Sequence, residues 1–263
     1  MINLGEYRPG DTVLHRLDPR VKIGAVMVLS LLIFAATPIG IALISLFLAA
    51  LARTARLTLA QTAAALRPVA VFMAAIFFMH LLATEGEPLL TFSPLPITIT
   101  REGLAQGALV TWQFAGLVIG AAILTMTTLP SDLVGGIERL LRPLARVGIP
   151  SQEIAMMIAM ALRFLPMLLE EYDRLRLAQM ARGADFSTGG VRLRMRAVHL
   201  LTVPLMLSAF RRADELVTAM EARGYRRGPR TTLRELSLTG TDLAASAAMA
   251  AFVLMNLGLQ VIA

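Results

Sequence analysis

The stretch IGAVMVLSLLIFAATPIGIALISLFLAALA, Ile23 to Ala52, decides the fold. It passes thirty residues without a charged side chain. One helix of that length measures about 45 Å, too long for a hydrocarbon core of about 30 Å. Thr37-Pro38-Ile39-Gly40 offers a break near the middle. Arg20 and Lys22 precede the run, and Arg53 and Arg56 close it. Basic residues at both ends put both ends on the cytoplasmic side, so the run reads as a hairpin of two short helices. Each half is short, which implies snorkelling flanks or local thinning of the bilayer.

The composition agrees. Hydrophobic residues make up 56% and charged residues 16%, against about 25% charged in soluble domains; the mean hydropathy is +0.68. The basic groups are 24 Arg and one Lys. They flank apolar spans, so the positive-inside rule explains them and nucleic acid is not an expected partner. The absence of cysteine excludes disulfides, thiolate metal sites and cysteine nucleophiles. Met1 to Arg20 contains Glu6, Arg8, Asp11, Arg16 and Asp18 and no apolar core, unlike a cleaved signal peptide.

Further along, Leu57 to Arg67 reads as an Ala-rich cytoplasmic linker, with Pro68 opening a third span that ends near Ala83. Thr84 to Glu102 contains Glu85, Glu87, Arg101 and Glu102 and is the expected outside loop; Thr98-Ile99-Thr100 is its only β-like alternation. Leu104 to Leu129 is a fourth span, and Pro130-Ser131-Asp132 ends it and caps the next helix. Thr239 to Ala263 contains one charge, Asp242, near its start and forms the fifth span.

Between the fourth and fifth spans the character changes. Ser131 to Glu235 holds 17 Arg against 11 acidic residues. Its apolar pieces, 154–162 and 197–210, are too short to cross a bilayer. They suit amphipathic helices that lie at the membrane surface or pack on one another. Two such helices are expected, about Glu153 to Arg182 and Arg192 to Arg223. Each contains a proline, Pro166 or Pro204, and each closes on the same tripeptide, Ala181-Arg182-Gly183 or Ala222-Arg223-Gly224. A basic residue followed by Gly is an ordinary helix ending. A duplicated ending after two similar proline-containing basic helices asks for more. An arginine in the last turn has a planar five-donor head that fits a carboxylate-lined groove.

At these residues the chain resembles the transmembrane T component of energy-coupling factor transporters, a branch of the ATP-binding-cassette importers. The paired tripeptides carry the resemblance. So do Leu162-Arg163-Phe164 before Pro166, Ala219-Met220-Glu221 before the second motif with Tyr225 after it, and the N-terminal stretches Gly5 to Gly10 and Leu14 to Lys22. The resemblance implies an all-α polytopic membrane protein of the bacterial or archaeal cell membrane, with about five transmembrane helices and a cytoplasmic N-terminus. Its expected organisation is a cytoplasmic segment 1–22, transmembrane helices over 23–129, a cytoplasmic domain of coupling helices over 130–236, and a last transmembrane helix over 237–263. The implied partners are two cassette ATPases, held through Ala181, Arg182, Gly183, Ala222, Arg223 and Gly224, and a small membrane-embedded substrate-capture protein, the S component. The implied cargo is a vitamin or another micronutrient.

No cofactor is expected on this chain, and ATP is expected on the partner ATPases. A phosphate-cradling loop needs glycines ahead of Lys-Ser or Lys-Thr, and the one lysine, Lys22, follows Asp18-Pro19-Arg20-Val21. Two other readings are open. Glu170-Glu171-Tyr172-Asp173-Arg174 resembles the paired-glutamate motif of membrane metalloproteases. Metal chemistry would need histidine partners within spans, and of His15, His80 and His199 only His80 lies in one. The glutamates suit a solvated face with Arg174 and Arg176, so no catalytic or metal residue is assigned. A conventional permease lining its own substrate path would need polar spans, and these are nearly free of charge. Eight of the 15 methionines lie between Ser131 and Glu235. Core filling accounts for them, and an adaptable surface for exchanging S components is the functional alternative.

Overall fold

The computed structural model describes residues 9–92, 97–141, 151–184, 186, 191–226 and 239–262. These are almost entirely helical and form two compact units, Met1–Leu140 with Leu236–Ala263, and Leu141–Glu235.

In the first unit, the long apolar run is two helices, α2 (Pro19–Phe34) and α3 (Pro38–Thr54). A short α1 (Val13–Arg16) precedes them. Pro38 stands in the first turn of α3, where its missing N–H costs nothing, and Thr37 caps that turn by accepting from Gly40 N. The break leaves carbonyls of α2 without helical partners. Gln113 from a later helix donates to one of them, Ile33 O, at 3.3 Å.

The segment expected as a cytoplasmic linker is instead helical. α4 (Leu59–Leu66) opens with a capping box between Thr58 and Gln61. A 3-10 turn over Arg67–Val69 joins it to α5 (Ala70–Ala83). Capping and an Ala-rich sequence of high helix propensity outweigh the break that Pro68 suggests. Two antiparallel strands, β1 (Pro88–Phe92) and β2 (Ile97–Thr100), follow, so the β-like signal at 98–100 is half of a hairpin. α6 (Arg101–Thr127) is the longest helix of this unit, and α7 (Pro130–Leu141) comes after it. Since α7 begins at Pro130, Ser131 and Asp132 lie in its first turn rather than ahead of it. α10 (Gly240–Ile262) completes the unit.

By length and composition three helical stretches among the described residues could cross a membrane: 60–83, 101–127 and 240–259. α2 and α3, with 16 and 17 residues, are shorter than a full crossing. The core lies where α2, α3, α6 and α10 meet, around Leu29, Ile33, Ile44, Leu48, Ile123 and Phe252. Phe47 and Phe252 stack at 4.2 Å between ring centroids.

α6 meets α5 through small residues. A Cβ on Gly103 would stand 2.9 Å from His80 O, and one on Gly107 would stand 3.1 Å from Phe77 O. Glycine spaced by four lets two backbones come this close. His80 therefore serves packing near the Thr84 end of α5.

A polar knot closes the other end of the unit. Asp242 is 2% exposed. One of its oxygens accepts from Asp18 N at 2.7 Å, and the other accepts from Thr239 N and Oγ1. Lys22 donates to Thr127 O and Thr128 Oγ1, both at 3.0 Å. The start of α2, the end of α6 and the start of α10 are thereby tied through Asp242 and Lys22, whose polar atoms are hydrogen-bonded as buried polar groups usually are, while Asp18 Oδ2 beside them finds no partner among the described residues.

Candidate functional site

The second unit is built on two long helices, α8 (Ser151–Ala181) and α9 (Val191–Ala222). Both run unbroken through their prolines, Pro166 and Pro204. They pack on each other as an antiparallel pair. The Tyr225 hydroxyl, just past the end of α9, lies 3.6 Å from Met156 Sδ near the start of α8. Midway, Arg212 pairs with Glu171 at 3.7 Å and also contacts Met167 Sδ. Position 156 thus stands across from 225, and 171 across from 212.

The glutamate pair is divided by this packing. Glu170 meets Arg174 within α8 at 3.6 Å, whereas Glu171 turns to Arg212 of α9. The expectation of a single solvated face with Arg174 and Arg176 holds for Glu170 only. Among the described residues no group of three or more His, Asp or Glu is placed to hold a metal ion.

The two helices end in the same way, bond for bond. At the end of α8, Gly183 N donates to Met180 O at 2.9 Å and Ala184 N to Gln179 O at 3.0 Å. At the end of α9, Gly224 N donates to Glu221 O at 2.9 Å and Tyr225 N to Met220 O at 3.0 Å. This pattern defines a Schellman cap, in which the residue after the cap turns left-handed. The glycines have φ of +85° and +71°. A Cβ at either would meet no atom within 4 Å, so backbone conformation, not space, calls for glycine.

Each cap sets its arginine at the last helical corner, followed by a chain that swings away. Arg182 and Arg223 are exposed, as are Ala181, Gly183, Ala222 and Gly224. Among the described residues neither guanidinium forms an ion pair, unlike Arg174 and Arg212. The helix terminus supplies partial negative charge that favours a cation there. Because the helices are antiparallel, the two ends face apart. Arg223 lies near the level of residue 158, so the arginines stand on the order of 35 Å from one another along the pair at 1.5 Å per residue. One small groove cannot take both. Two separate acidic grooves can.

Sequence reading located both tripeptides but not the tie that orients them. Tyr225 and Met156 are 69 positions apart, and no periodicity links them. The aromatic residue directly after Arg223-Gly224 was the available signal: the residue at that position of a Schellman cap often packs back onto its surroundings.

Comparisons with known proteins bear on this arrangement. The family described as cobalt transport protein (CbiQ) matches residues 10–233. The energy-coupling factor transporter transmembrane protein EcfT of Thermosediminibacter oceani is 43% identical over 246 residues, covering 93% of this chain and 92% of the relative. Its counterpart in Heliobacterium modesticaldum is 41% identical over 97% of both chains. The one in Bacillus subtilis is 39% identical over 91% of both.

Proposed function

Because this chain belongs to the family of energy-coupling factor transporter transmembrane proteins, we propose that it couples two cassette ATPases to a small membrane-embedded S component and so drives uptake of a vitamin or another micronutrient. Its own part is mechanical. The ATPases bind and hydrolyse ATP, and this chain transmits the motion that follows.

The observation that supports the reading is the pair of matching ends. Arg182 and Arg223 stand in identical caps at opposite ends of the α8–α9 pair, exposed and in no ion pair among the described residues. Each guanidinium enters an acidic groove on one ATPase and forms a forked, charge-assisted contact there. When the ATPases close on ATP, the two grooves move relative to one another. α8 and α9 are gripped at both ends and shift with them. The shift carries the S component from an outward-loading to an inward-releasing state. The chain sits in the cell membrane as a multi-pass protein with its N-terminus and the α8–α9 unit inside.

The test is purification from native membranes in mild detergent. Two cassette ATPases and one small apolar protein are expected to accompany the chain. Uptake by vesicles that hold only this chain and its ATPases would instead make it a permease with its own substrate path.

A further inference from the structure

α5 packs along α6, yet buries none of its side chains. Its opposite face carries Val71, Ala74, Phe78 and Leu82 at helical spacing, all exposed, with Val71 at 82%. Arg67, in the 3-10 turn that leads into α5, continues the same stripe one turn earlier and is also exposed.

The level of Arg67 follows from the packing of α5 on α6. Phe77 lies at Gly107, His80 and Leu81 lie at Gly103, and the rings of Phe72 and Phe114 meet at 5.6 Å. The helices run antiparallel, one residue down for one residue up, and α4 continues along α6 below them. Arg67 is therefore level with about residue 117 of α6. A helix of 27 residues is about 40 Å long, so a hydrocarbon core of about 30 Å centred on it has its middle near residue 114. With the core centred there, Arg67 stands within about 5 Å of the mid-plane, inside the stretch 60–83 that is long and apolar enough to cross a membrane.

A cation at that depth requires a partner. This chain's spans supply none. No Asp or Glu occurs from Pro19 through Thr84, between Gly103 and Ser131, or after Asp242. Asp242 is engaged in the knot with Asp18 and Thr239. Lipid phosphates are poorly placed as well. They lie beyond the core boundary, about 15 Å from the mid-plane, while an extended arginine side chain reaches about 7 Å. A carboxylate held at matching depth in a neighbouring span meets the guanidinium directly.

We propose that the Arg67–Val71–Ala74–Phe78–Leu82 face is a docking surface for a transmembrane helix of the small membrane-embedded partner, and that an Asp or Glu near the middle of that helix pairs with Arg67. This rests on the proposed function only in naming which subunit supplies the helix. Ala74 gives the incoming helix a close approach, the large apolar residues give it area, and Arg67 sets its register.

The experiment uses the intact complex in native membranes. The chain has no cysteine, so Val71→Cys carries a single thiol for a benzophenone maleimide. Illumination is expected to join Val71→Cys to a span of the small partner that contains an Asp or Glu. Arg67→Glu is expected to cut that adduct by about tenfold or more, since it leaves like charges facing in a low dielectric. Exchanging the partner's carboxylate for Arg is expected to restore it. Arg67→Met, which a bilayer accepts without penalty, is expected to lose the small partner while both ATPases still co-purify. Retention of the small partner by Arg67→Met, or adducts with lipid alone, would overturn the docking surface. Absence of ATPases from the wild-type complex would instead overturn the proposed function and leave the adduct result to be read on its own.

Discussion

Tyr225, the first residue beyond the glycine that caps α9, places its hydroxyl 3.6 Å from the sulfur of Met156, near the start of α8. With the Glu171–Arg212 pair further along, this contact fixes α8 and α9 as antiparallel. Two identical endings therefore become two separated ones. A single spin label at Arg182→Cys and another at Arg223→Cys should report a distance on the order of 35 Å. Pulsed electron resonance measures it, and a mean under about 20 Å would mean that the helices do not pack in this register.

The glycine caps make a prediction that space-filling arguments would miss. Gly183→Ala and Gly224→Ala introduce no clash, because nothing lies within 4 Å of the new Cβ. They do force an L-residue to φ of +85° or +71°, which costs about 1–2 kcal/mol at each position. Asn, which tolerates the left-handed region, should cost less than Ala. Hydrogen exchange of the Ala184 and Tyr225 amides reads the effect directly, since each bonds back across its cap. Equal protection in the Ala and Asn variants would count against it.

The polar knot should behave as a unit. Asp242→Ala leaves Asp18 N without its acceptor in a buried place, and an orphaned donor costs about 1–3 kcal/mol; Thr239 N, at an exposed residue, loses its acceptor too but can turn to water. Lys22→Met removes the donor to Thr127 O and Thr128 Oγ1 and should cost about as much. The double variant should be less destabilised than the sum of the singles, because the groups share one site. Thermal unfolding in detergent gives all three numbers, and strict additivity would argue that the knot is two unrelated contacts.

Gly103 offers a test of the α5–α6 approach. A Cβ there would stand 2.9 Å from the His80 backbone oxygen and 3.2 Å from that of Leu81. Backbone cannot yield as a side-chain tip can. Gly103→Val should therefore push the helices apart and destabilise the unit by about 1–3 kcal/mol through overpacking, read as a lower melting temperature. Gly24→Val, with nothing within 4 Å of its Cβ, is the matched control and should have a much smaller effect.

What could be read from the chain in advance was local. The break at Thr37-Pro38 and the two glycine-capped endings depend on residues within a few positions of one another, and proline, glycine and the charge flanks signal them directly. Asp242 was visible only as a lone charge at the head of the last span, because its partner Asp18 lies 224 positions away. Arg67, before Pro68, resembles the edge of a span, and its level along α6 emerges only from the packing of Phe72, Phe77 and His80. The β1–β2 pairing was half-seen, since a strand's partner lies in another stretch of the chain and not within the strand.

The central claim is that Arg182 and Arg223 are the grips by which ATPase motion enters this chain. Replacing either with Lys keeps the charge but loses the planar fork, so coupling should weaken without being lost. The most direct measurement is micronutrient uptake by the Arg182→Glu, Arg223→Glu double variant, with membrane insertion checked in the same cells. Normal insertion with uptake abolished and the ATPases released is the expected result. Uptake at the wild-type rate in that variant would contradict the account.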